Sequence, residues 1–119
     1  MVMGTETTAS MVGRVLESCL NEIRNDDSIP VKCFKLLSAV DMIVDFFPVY
    51  ASSASSMATQ IAVIFGEEVH NLANLAVQWG GESGMAPSHA FQDRDWLVNN
   101  ALHVGVTYGE DGFVTTVQV

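Results

Sequence analysis

From Phe46 to Gly66 the chain runs 21 residues without a charge, "FFPVYASSASSMATQIAVIFG", between Asp45 and Glu67. About 20 apolar residues suffice to cross a bilayer, so a run of this length must either span one or be covered by protein. Pro48, Ser52, Ser53, Ser55, Ser56, Thr59 and Gln60 load it with hydroxyl and amide groups, and neither border supplies a cation to anchor it among headgroups. The run is therefore expected to be helix inside a folded domain, with no membrane span.

The flanking sequence carries helical periodicity. Over 9–24, Met11, Val12, Val15, Leu16, Cys19, Leu20 and Ile23 form one stripe, with Arg14, Glu17, Asn21 and Arg24 away from it. "NDDS" reads as a turn, and Ser28 with Pro30 opens a second helix over 30–47, whose apolar residues cover more than half its circumference. A third, long helix is expected over 49–78, bent near Gly66. "GGESGMAPS" reads as a linker, followed by a shorter helix over 89–102. Val104, Val106 and Tyr108, then Phe113, Thr115, Val117 and Val119, alternate around a glycine-bounded turn and predict a β-hairpin over 103–119. The expected fold is mainly α: a small helical bundle of three longer helices plus one short helix, with a C-terminal β-hairpin. Residues 1–8 are expected to be a disordered tail and 9–119 a single domain.

At 119 residues one domain is the default, and 49% of the residues are hydrophobic against 16% charged, where about 25% charged is usual. A small chain has much surface for its volume, so this surplus predicts a subunit interface or a ligand groove. Five Lys and Arg against 14 Asp and Glu give a formal net charge of −9, which repels phosphate backbones and excludes direct nucleic-acid binding. The same acidity suits docking on a basic partner. Cys19 and Cys33 fit no zinc or redox spacing and read as reduced thiols, and "MVMGTETTAS" shows no secretory pattern, so a cytoplasmic location is expected.

Catalytic patterns are sparse. Glu67 and His70 have the Glu-x-x-His spacing that puts a carboxylate and an imidazole on one helix face, as metal ligation in helical bundles requires, but the second such pair that chemistry needs does not occur. They stand as candidate metal ligands against the plainer reading of a solvated helix edge. No G-x-S-x-G elbow frames a nucleophile, "GGESG" lacks the P-loop lysine, and Asp93 and Asp95 point to different sides of a helix. Asp41 and Asp45 share a face of the second helix with Lys32 and Lys35 in a narrow polar seam. Trp79, Met85, Phe91 and Trp96 cluster around the glycine linker, where core packing is the plainer reading; aromatics with Met are also enriched at contact hot spots, and with Phe113 and Val117 of the hairpin they form the candidate interaction residues. "QWGG" resembles the turn of WXG-type helical hairpins over a tripeptide, and no family is assigned from it.

These readings converge on a non-enzymatic protein–protein interaction module, an acidic homodimeric adaptor or inhibitor-type protein without a cofactor. The alternative is a helical carrier of a small molecule or metal.

Overall fold

The computed structural model describes residues 8–100, together with the backbone of Val106–Tyr108 and Val114–Thr116. Across 8–100 the chain forms five α-helices, α1 (Thr8–Leu20), α2 (Ile29–Phe46), α3 (Ala54–Ile64), α4 (Glu67–Ser83) and α5 (Arg94–Asn100). Two 3-10 helices, η1 (Pro48–Ser53) and η2 (Pro87–Gln92), link them.

The expected combination of a four-helix bundle and a hairpin is corrected by this architecture. Residues 8–100 are built from helices and contain no strand. Beyond them only two backbone triplets are described, antiparallel neighbours of three residues each, which leaves the hairpin expected over 103–119 outside the described fold. The expected tail, 1–8, lies outside the described residues except for Thr8, which begins α1.

α2 is the hub, in contact with α1, α3, α4 and η2. Ser28 caps it by accepting the Val31 N–H at 3.3 Å, and Pro30 occupies the first turn, where a missing N–H costs nothing. Its buried side chains, among them Cys33, Leu36, Leu37, Val40 and Ile43, point to several neighbours at once, as its wide apolar arc predicts. α1 ends at Leu20 rather than Arg24, and the Arg24 N–H is instead taken by the Asp27 carboxylate at 2.8 Å.

The long third helix expected over 49–78 is three segments. Pro48 opens a 3-10 turn rather than an α-helix, and Gly66, at φ 115°, divides α3 from α4. That backbone region is closed to residues with a Cβ, so the break is written at this one position. The small residues of the charge-free run do bring helices close: Ala58 and Ala62, one turn apart, are buried against the core with Ala73 and Ala76 of α4.

The expected "GGESGMAPS" linker is also corrected. α4 continues through Gly80 and Gly81 to Ser83 and stops at Gly84, whose N–H bonds the Gly80 carbonyl at 2.9 Å. A Cβ on Gly80 would lie 2.8 Å from the Met85 carbonyl oxygen, so this glycine serves the close return of the chain over the helix end. The helix expected over 89–102 is η2 followed by α5, divided at Asp93, which has extended backbone. Asp93 accepts the Trp96 N–H at 3.0 Å, the work of a cap.

Candidate functional site

Among the described residues five helices contact α2 (α1, η1, α3, α4 and η2), and α1 is the least engaged of them, its substantial contact being with α2. Of its described side chains Val12 is buried, while Leu16, Cys19 and Leu20 are half-buried and Met11 and Val15 exposed. A stripe this wide resting on one neighbour leaves apolar surface on both sides. On one side a groove of about 490 Å³ runs between α1 and the end of α3, lined by Leu16, Leu20 and Ile23 against Ile64 and Phe65, with Glu17 and Asn21 at its edge. On the other a groove of about 570 Å³ is lined by Met11, Val15 and Cys19 against Met42 and Phe47. A third depression, about 340 Å³, continues from Cys19 and Met42 to Phe34 and Lys35. Exposed apolar side chains stand beside these grooves: Ile64 is 76% accessible and Phe46 72%.

The electrostatics differ along this surface. Lys35 Nζ clasps the α1–α2 connection, donating to the Glu22 carbonyl at 3.0 Å and to the Asp27 carboxylate at 2.7 Å. Burial pushes the Asp27 pKa up, but the Lys35 hydrogen bond, the Arg24 N–H and both positive charges together hold it below its ordinary value. Arg24 faces Asp26 at 3.4 Å. No lysine, arginine or histidine lines the groove beside Leu16.

The expected polar seam on α2 separates into two unrelated ties. Lys35 reaches back to the connection, whereas Asp41 reaches across to η2 and accepts the Ser88 N–H at 3.3 Å. Burial raises the Asp41 pKa and outweighs the Ser88 hydrogen bonds and the nearby His89, which act the other way; Asp45 adds to the rise. Cys33 donates its thiol to the Val69 carbonyl at 3.3 Å, and burial pushes its pKa up to about 12. It is a packing residue in the core.

Glu67 and His70 both lie in the first turns of α4, where Glu67 is exposed and the His70 ring pairs with Asn74 at 3.4 Å. Among the described residues no group of three or more His, Cys, Asp or Glu converges as a metal site requires. Phe91 is 0% accessible and Trp96 is buried, their rings in an edge-to-face pair at 4.9 Å, so both belong to the core and not to a surface. Trp79 is half-buried against that core, and Met85 alone of the four is exposed. Phe113 and Val117 lie outside the described residues.

The residues that form the open grooves, Met11, Val15, Leu16, Leu20, Ile64 and Phe65, were visible in the sequence only as helix stripes. The usable signal was the width of the α1 stripe, which exceeds what one neighbouring helix can cover. No helix among the described residues is long and apolar enough to cross a membrane. No protein-family model, no curated protein and no solved structure matches the chain.

Proposed function

We propose that the chain is a non-enzymatic protein–protein interaction module that works through the open apolar face around α1. One observation carries this reading: exposed and half-exposed apolar side chains from α1, the end of α2 and the end of α3 border open grooves on both sides of α1, while Leu20, Ile23 and Phe65 also pack against the core. Large open apolar patches on small domains mark contact sites.

Site-specific photo-cross-linking in the native host tests the proposal. Benzoylphenylalanine at Val15 or Ile64 is expected to give discrete protein adducts, while the same group at the exposed polar positions Asn71 and Gln78 gives none. Absence of adducts from both face positions would remove the reading. Light scattering on the purified chain addresses the homodimer version separately, since a constant monomer mass across concentrations excludes it.

A further inference from the structure

Where α2 hands the chain to α3, the connection itself is apolar and exposed. Phe46, the last residue of α2, is 72% accessible and Val49 is 75% accessible, and Pro48 between them is exposed as well. No residue of η1 is buried, so this 3-10 helix adds nothing to the core and leaves Pro48, Val49 and Ala51 to the solvent. Phe47 and Tyr50 are half-buried, and Ser52, Ser53, Ser55 and Ser56 follow, all exposed. The charge pattern is as marked as the apolarity. Residues 46–66 carry no charge, and no lysine or arginine occurs from 36 to 93. The charge that borders the connection is the carboxylate of Asp45, exposed beside Phe46.

We infer that this connection seats in the surface of a zwitterionic phospholipid bilayer, whose headgroups end in an ammonium cation. Aromatic and aliphatic side chains on an uncharged stretch enter the interfacial layer without desolvating an ion, and serine hydroxyls hydrogen-bond at headgroup depth. Asp45 offers the outermost headgroup cation an opposite charge, and Phe46, Phe47 and Tyr50 supply the kind of ring faces that attract ammonium groups. A net charge of −9 with no cation along this stretch works against an anionic lipid surface. Protein-binding centres are ordinarily rimmed by polar and charged groups. From 45 to 56 the chain supplies serines, a tyrosine and one carboxylate, which favours lipid over a protein groove. The contact is peripheral, since no helix among the described residues is long and apolar enough to cross a membrane. It does not depend on the interaction-module reading, whose cross-linking positions are Val15 and Ile64.

The test is co-sedimentation of the full chain with sucrose-loaded phosphatidylcholine vesicles, pure or with part of the lipid replaced by phosphatidylglycerol. Partition into phosphatidylcholine is expected to be weak and reversible, with a constant on the order of 10⁴ M⁻¹ at most, the level of one myristoyl chain. The double variant Phe46→Ser/Val49→Ser is expected to lower it by about tenfold or more, whereas Ile64→Ser, at an exposed apolar position beyond the connection, leaves it unchanged. Phosphatidylglycerol is expected to weaken wild-type binding, and Asp45→Lys to reverse that preference. All four side chains are exposed, and circular dichroism melts check that the variants remain folded. No partition into phosphatidylcholine above a vesicle-free control, undiminished partition of the double variant, or an equal loss with Ile64→Ser would each overturn the inference. So would tighter wild-type binding to the anionic vesicles, or a headgroup preference that Asp45→Lys does not change. Benzoylphenylalanine at Val49 that gives discrete protein adducts while the vesicles retain no chain would also overturn it, because a protein would then cover the connection.

Discussion

Asp41 accepts the Ser88 N–H from a position half withdrawn from water, so its charge is both used and penalised. Because folding raises its pKa, the folded chain holds that proton more tightly than the unfolded chain. Its contribution is therefore most favourable below the ordinary value of 3.8 and declines as pH rises through the window up to the raised folded value. Asp41→Asn keeps an oxygen acceptor and discards the charge, so its urea midpoint at pH 7 is expected to equal or exceed that of the wild type, with that part of the pH slope gone. Asp41→Leu strands a buried N–H and is expected to cost about 1–2 kcal/mol. Asp27 works with the opposite sign: its lowered pKa supplies stability above 3.8 that is lost as pH falls through the folded value. The thiols offer a separate check. With Cys33 buried and its pKa pushed up to about 12, a disulfide reagent at pH 8 is expected to titrate Cys19 in the native chain and Cys33 only after unfolding. Rapid reaction of both thiols in the folded protein would contradict the core placement.

Neighbouring glycines in α4 have opposite roles, and substitution should reveal them. Gly80→Ala drives a Cβ to 2.8 Å from a backbone oxygen and is expected to destabilise the chain despite alanine's better helix propensity. Gly81→Ala meets nothing within 4 Å and should stabilise by about 0.5–1 kcal/mol. Chemical denaturation of the two variants side by side decides it. This pair also shows why some elements were legible in the sequence and others were not. α2 was readable because Ser28, Pro30 and its apolar arc are local signals that agree with one another. The helix end after Trp79 was not, since composition cannot distinguish a glycine needed for a loose linker from one needed for close approach within a helix. The division at Gly66 was half-legible: the bend was expected there, but only the φ of 115° makes it a break. For Phe91 and Trp96 the sequence leaves core packing, the plainer reading, and partner contact both open, because an aromatic beside a linker looks the same whether it faces outward or into Phe34 and the core.

At the scale of the molecule, the arrangement around α2 predicts uneven stability. α2, α3, α4 and η2 touch one another in several pairings, whereas α1 depends on α2 and on the Lys35 clasp, an ion pair with modest value at a partly exposed position. Native-state hydrogen exchange is therefore expected to show α1 amides opening at lower free energy than those of α2 and α4. Uniform protection across all helices would argue that α1 is as firmly held as the rest. The candidate face was hidden from sequence reasoning for the same reason: a stripe reveals that a helix has an apolar side, not how many neighbours arrive to cover it. One outcome concerns the 21–28 connection. Because, among the described residues, α1 is joined to the remainder by that short stretch and mainly by its packing on α2, a protease cut there should shed it as a separable peptide. The fragment from Ile29 onward would keep its hub and lose the wall carrying Leu16 and Leu20, so that one scission would disarm the groove without dismantling the molecule.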